Sequence, residues 1–190
     1  MDLGHWTRRL VHMAAPVFLV YYLVPDEVYG VDKRLGLMVL LAIVLAFEAL
    51  RLWRHWTFMG MRDYESGRMS AFAWASIGLT FTFLFFPLEL AAPAVVGMAF
   101  TDPLIGELRH RKSALYPLLP LVFYFILVLT IFIALMGWSW QVVLASLVGT
   151  MLAIGVERIR TKYVDDDFLM MVVPLIGMAV VLYLTSSFPS

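Results

Sequence analysis

The sequence predicts an all-α fold: a polytopic membrane helix bundle of about seven transmembrane helices, one of them broken near Asp102. Three observations predict it. Of the 190 residues, 62% are hydrophobic and only 15% are charged, whereas soluble domains run nearer half apolar and a quarter charged. The apolar residues gather into runs long enough for helical spans of roughly 17–25 residues. None of the runs alternates with period two, and only helices or closed barrels satisfy their backbone inside lipid, so the runs are helices. The length suits a single integral-membrane domain over residues 1–190. With no cysteine in the chain, disulfides, thiol chemistry and thiolate metal sites are excluded.

In chain order the runs fall at about 9–24, 35–53, 70–87, 88–106, 116–137, 138–156 and 168–186. The first follows a basic pair, as the apolar part of a signal peptide does. It lacks a small-x-small cleavage site and more spans follow, so it reads as a retained first span. That run is short and holds Pro16, and the third and fourth are divided only around Phe86-Pro87. A six-span reading with one re-entrant segment therefore stays open. The longest non-apolar segment, 54–68, keeps Trp56, Phe58, Met59, Met61 and Tyr64 and reads as an amphipathic segment at headgroup level.

Charge placement tests the count. With seven spans, the N-terminus and the exits of the second, fourth and sixth spans share one side. That side carries every lysine and arginine except Lys33 and Arg34. The positive-inside rule then makes the N-terminus cytoplasmic and the C-terminus external, in a cell membrane or an ER-like one. Asp63, Glu65, Glu107, Glu157 and Asp165–Asp167 lie in or beside the same loops, with Glu48 and Asp102 just inside the membrane. Carboxylates mixed with guanidinium groups suit an anionic, metal-bound substrate, the acids serving the metal and the arginines the phosphates. The other side is almost featureless, with the acids Asp26, Glu27 and Asp32. The active site is expected to face the cytosol.

Five constellations carry chemistry. Arg8, Arg9 and His12 open the first span; Arg9 and His12 share a helix face and read either as phosphate ligand and donor or as ordinary anchoring. Glu48, Arg51 and Arg54 recur at three-residue spacing, where an internal ion pair is as good an account as substrate binding. Arg62, Glu65 and Arg68 repeat the alternation in the loop that follows. Thr101-Asp102-Pro103 has the form of a helix start, a cap followed by Pro, yet falls inside an apolar run. A carboxylate there costs about 2.5–3.5 kcal/mol on insertion scales unless it faces a polar cavity or a metal. Free backbone N–H groups at such a break would form an anion site, and Asp102 beside it could hold Mg²⁺. A kinked helix with a capping acid is the bland alternative. Late in the chain, Glu157 and Asp165-Asp166-Asp167 frame a loop bearing Arg158, Arg160 and Lys162, which reads as a metal or nucleotide site or as a solvated helix start.

Taken together, the Arg-Arg-Leu-Val-His start, Glu48 with Arg51, Asp102-x-x-x-Gly106 and the late Asp-Asp-Asp before Pro174 resemble the CTP-dependent polyprenol kinase family. That family includes dolichol kinases, phytol kinases and CTP-dependent diacylglycerol kinases, and is distantly similar to the CDP-lipid synthases. The resemblance covers most of the chain, in order, through short motifs. Arg8, Arg9 and His12 match the family's Arg-Lys-x-x-His, and Asp165-Asp166 match its acid pair, with Asp167 in place of an Asn. The chain departs from the family after Gly106: a Lys-Ser/Thr-x-Glu-Gly segment is expected, and Lys112-Ser113 is followed by Ala114-Leu115 instead.

The resemblance implies phosphoryl transfer from CTP to a membrane-embedded alcohol of the dolichol, phytol or diacylglycerol type, with Mg²⁺ as cofactor. It implies catalytic roles for Asp102, His12 and Asp166, and metal ligation by Asp102, Asp166 and Asp167. Substrate and nucleotide contacts are expected from Arg9, Glu48, Arg51, Glu65, Arg68, Gly106, Arg109, Lys112 and Asp165. The partners expected are CTP, a lipid alcohol and membrane lipids, with no nucleic acid, and homo-oligomerisation is left open. Two other functions compete: a CDP-lipid synthase that releases pyrophosphate, and a small non-enzymatic transporter.

Overall fold

A computed structural model of the chain describes residues 9–10, 12–58, 61, 63–157 and 164–185. Arg8, Arg62, Arg158, Arg160 and Lys162, to which sequence reasoning gave phosphate-binding or loop roles, lie outside the described residues. The described chain is all-helical apart from one small hairpin. The helical residues 9–10 and 12–13 precede a 3-10 helix, Ala15–Leu23, and the hairpin pairs β1 (Glu27–Val28) with β2 (Val31–Asp32). Six α-helices follow: α1 (Lys33–Arg54), α2 (Ala71–Phe85), α3 (Leu88–His110), α4 (Leu118–Met136), α5 (Trp140–Glu157) and α6 (Asp166–Leu184). A short 3-10 turn, Asp63–Gly67, lies between α1 and α2.

Local chemistry accounts for the boundaries. Tyr29 and Gly30 both take positive φ, the geometry a two-residue hairpin turn requires. Asp32 caps α1 by accepting from the backbone N–H of Arg34 and Leu35, Ser70 caps α2 at Ala73, and Asp165 caps α6 at Asp167. Pro87 precedes α3, where a missing N–H costs nothing.

Among the described residues, five helices are long and apolar enough to cross a membrane: α1, α3, α4, α5 and α6. Of the seven expected spans, the first is a nine-residue 3-10 helix and the third is the 15-residue α2. Pro16, in the first turn of that 3-10 helix, lacks the N–H that would join it to the helical residues before it. Helix α2 is bounded by its Ser70 cap and by the extended Phe86-Pro87 step.

The break expected near Asp102 is absent. Helix α3 runs from Leu88 to His110 with Thr101, Asp102 and both Pro93 and Pro103 inside it. The Thr-Asp-Pro order, a start signal in isolation, is overridden because α3 is the packed centre: 61% of its apolar window is buried, against 11% for α1. Thr101 is wholly buried and its neighbours Ala99 and Ile105 lie in the core.

Close helix approach is set by small residues. A Cβ at Gly177 would come 2.2 Å from Leu152 Cδ1, and one at Gly149 would come 2.7 Å from Met178, so α5 and α6 meet backbone to side chain. The bundle therefore has a tight side built from α3 to α6 and a looser side on which α1 leans against α2.

Candidate active site

Polar groups collect at one end of the bundle. Helices α1, α3 and α5 end there and α2 and α6 begin there, together with the turn that carries Arg9 and His12. At its centre, His12 Nε2 lies 2.5 Å from Asp167 Oδ2, a contact that joins the first turn to the start of α6. Asp102, one helical face of α3, completes the group: His12, Asp102 and Asp167 each offer a ligand atom, and these atoms all lie within 4.8 Å of one another. Asp165, Asp166 and Asp167 form a second group that meets the same limit, so Asp167 belongs to both.

The α6 cap produces this crowding. Asp165 turns its carboxylate to the Asp167 N–H, which leaves Asp166 and Asp167 in the first helical turn. Burial, with the Asp167 and Asp166 carboxylates beside it, pushes Asp165 up to about 8. A helix N-terminus tolerates one such acid by its dipole, but three acids together with Asp102 exceed what a cap needs.

Cations flank the cluster through ion pairs. Arg9 Nη2 lies 2.6 Å from Glu107 Oε2, and Arg111 closes on the other oxygen of Glu107. Arg109 is paired with Glu157 at the end of α5; it also donates to Tyr116 Oη at 2.8 Å, and Tyr116 in turn donates to Glu157 at 3.2 Å. Asp166 lies within electrostatic range of Glu157, so this triad borders the acids. Lys112 ends α3 in the left-handed conformation, φ 49°, as an exposed residue. Gly106, one turn beyond Asp102, is exposed too, and a Cβ there would meet no heavy atom within 4 Å.

Glu48 and Arg51 lie apart from this cluster, in a closed network. Arg51 donates through Nε and Nη2 to both oxygens of Glu48, at 2.9 and 2.8 Å. Its other N–H groups go to the carbonyls of Trp56, Glu65 and Arg68, at 3.2, 3.0 and 2.6 Å. Ser70 donates its N–H and its hydroxyl to Glu48 at 2.6 and 3.0 Å. All five donors of the guanidinium are used within the protein, and Arg51 is 1% exposed. The pair thus staples the 54–70 segment to α1 rather than presenting charge to the acids. Glu65, also buried, and Arg68, exposed, take part through their carbonyls.

The structure therefore brings His12, Asp102, Asp165, Asp166 and Asp167 together, with Arg9 and Arg109 on flanking ion pairs. It keeps Glu48, Arg51, Glu65 and Arg68 in the staple. Among the acids, Asp167 rather than Asp166 meets His12. Sequence reasoning missed Tyr116 as a link and Glu107 as the partner of Arg9. Glu107 was findable from its i, i+4 spacing to Arg111, whereas nothing local marks Tyr116. No family model, curated protein or solved structure matches this chain.

Proposed function

We infer that this chain is a phosphotransferase of the CTP-dependent lipid kinase type, acting on a membrane-embedded alcohol at the cytoplasmic face. One observation carries the reading: His12, Asp102 and Asp167, remote in sequence, converge to within 4.8 Å at the end of the bundle where the arginines gather. The donor chemistry fits Mg²⁺. Asp102 with Asp165–Asp167 supplies hard carboxylate oxygens, and the raised Asp165 marks an excess of negative charge that a cation would relieve. Asp102, Asp166 and Asp167 would hold the ion. An ion held by these residues would supply neutralisation of the triphosphate charge.

The protein's own groups do the rest. The acceptor oxygen attacks the γ-phosphorus, the bond from that phosphorus to the β–γ bridging oxygen breaks, and CDP leaves with the electron pair. A group of the His12–Asp102–Asp167 cluster takes the hydroxyl proton, and His12 orients Asp167 through its hydrogen bond. Arg9, Arg109 and Lys112 answer the phosphates, the first two by exchanging Glu107 and Glu157 for the ligand. In this reading the 3-10 segment and α2 complete a seven-crossing topology, with the N-terminus and the cation-rich loops in the cytosol and the C-terminus outside.

The test is purified protein in detergent with Mg²⁺, a lipid extract and CTP labelled either on the γ-phosphate or on cytidine. Labelled phosphate on lipid is the expected result. Labelled cytidine on lipid would make the chain a CDP-lipid synthase, and no label from either would leave the transporter reading.

A further inference from the structure

Beyond the polar cluster lies a cavity of about 530 Å³ between α1, α2 and the first 3-10 helix. Leu37, Leu40, Leu41, Val44 and Phe47 line it from α1, at spacings that trace one helix face. Phe72, Ala75, Leu79 and Phe83 line it from α2, again on one face. Two apolar stripes thus look at each other across a gap instead of packing together, and Phe18 and Met98 close it. Such stripes normally bury themselves against protein. Ser76, also in the wall, donates its hydroxyl to the Phe72 carbonyl at 2.8 Å, so it leaves the surface apolar.

The cavity has a direction. Of its polar residues, His12, Glu48, Arg51, Glu65, Ser70 and Asp167 belong to the end of the bundle that holds the acids, and Ser76 and Thr80 lie further along α2. From Leu37 to Arg51 the α1 wall extends roughly 21 Å at the α-helical rise. Along its rim Phe18, Leu40, Phe47 and Phe72 are each about half exposed, which opens the cavity sideways. An amphiphile would reach it from the surrounding apolar phase, with its head beside His12 and Asp167.

The mouth also states the charge of that head. Among the described residues Arg51 is the only lysine or arginine in the lining, and all five of its donors are engaged within the protein. Glu65 and Asp167 add carboxylates, while the Glu48 carboxylate is neutralised by Arg51. Among the described lining residues, an anionic head would meet carboxylates and a guanidinium already bound within the protein, whereas a hydroxyl meets acceptors that suit its proton. The volume sits in the middle of the range for small-ligand pockets, roughly 300–1,000 Å³, and its walls are two single helix faces.

We propose that this cavity is the acceptor site and that it takes one long-chain, uncharged alcohol, with its hydroxyl at His12 and Asp167 and its single chain between α1 and α2. The assignment of the occupant as acceptor rests on the kinase reading, whereas the site itself is defined by the cavity. It excludes phosphatidate-like anions by charge and diacylglycerol by its second chain.

The probe is hexadecan-1-ol carrying a mid-chain diazirine and a terminal alkyne, photolysed with the full-length protein in detergent without nucleotide. The expected result is label on peptides of α1 and α2, suppressed at least tenfold by excess hexadecan-1-ol but not by dioleoylglycerol or dioleoylphosphatidate. Ala75→Trp, which fills the gap, should cut labelling at least tenfold. Val39→Trp, on the exposed far face of α1, should label as wild type. Label spread over the outer faces of α4, or equal competition by dioleoylglycerol, overturns the proposal whether or not the tryptophan variant folds. Labelling in the cavity with no transfer of γ-phosphate to any alcohol would remove the kinase reading while leaving the site in place.

Discussion

His12 Nε2 and Asp167 Oδ2 lie 2.5 Å apart although 155 residues separate them, and this contact ties the first turn of the chain to the start of its last helix. Asp167 is 1% exposed, so the contact also gives a buried carboxylate a hydrogen-bond donor. A histidine that fixes a carboxylate acts on what the carboxylate binds. His12→Ala is expected to weaken Mg²⁺ binding by about 10–100-fold, the usual cost of losing an orienting partner. His12→Gln, which keeps a donor, should recover part of it. Calorimetric titration of Mg²⁺ checks both, and equal affinity in wild type and His12→Ala would separate His12 from the metal.

Asp102 shares this group but sits on α3, half-buried inside an unbroken helix. Asp102→Asn changes little volume and leaves α3 intact. It is expected to lower turnover by about 10²–10³-fold, the range for removing one charge-stabilising group, while thermal unfolding stays close to wild type. Wild-type rates in that variant would take Asp102 out of the mechanism.

Mg²⁺ should stabilise the folded protein as well as activate it. At a hundred times its dissociation constant, a ligand specific for the native state adds about 2.7 kcal/mol. Unfolding followed in detergent should therefore shift upward with Mg²⁺ and return on chelation, and the shift should be lost in Asp102→Asn. A wild-type protein indifferent to Mg²⁺ would show that the acids serve only the helix start.

The Glu48–Arg51 staple predicts the opposite pattern. Removing one partner of a buried, hydrogen-bonded pair strands the other, at a cost of about 3–5 kcal/mol. Arg51→Ala should lower the unfolding temperature sharply with or without nucleotide. Glu48→Leu combined with Arg51→Met, which removes both charges, should be less destabilised than either single change. If Arg51→Ala unfolds like wild type but loses nucleotide affinity, Arg51 is a ligand contact after all.

Gly106 tests where the nucleotide approaches α3. A side chain there meets open space, so Gly106→Leu should fold at least as well as wild type, since glycine costs about 1 kcal/mol in a helix interior relative to alanine. Steady-state kinetics should show KM for CTP raised about tenfold or more through displacement of the phosphates. An unchanged KM would place the nucleotide elsewhere.

Much of this arrangement is legible in one dimension. Apolar runs are long because a lipid-spanning backbone must satisfy itself, so the helices announce themselves by composition, as α4 (Leu118–Met136) does. Asp102 and Asp165–Asp167 stand out because charge beside or within such runs is costly. Spacing at i, i+3 was enough to suggest that Glu48 and Arg51 pair.

What a single strand of letters cannot decide is which of several local signals prevails. Thr101-Asp102-Pro103 has the form of a helix start, yet burial of most of α3, Thr101 included, holds the helix through it. Glu48–Arg51 reads equally well as a site or a brace, and only the carbonyls of Trp56, Glu65 and Arg68, brought in by the fold, use up the remaining donors. The sequence by itself determined an all-helical, strongly apolar chain and most of the acids in its cluster. Tertiary structure alone decided that His12 meets Asp167 and that α1 and α2 leave a gap. Both depend on contacts between residues far apart in the chain, which local propensity does not encode.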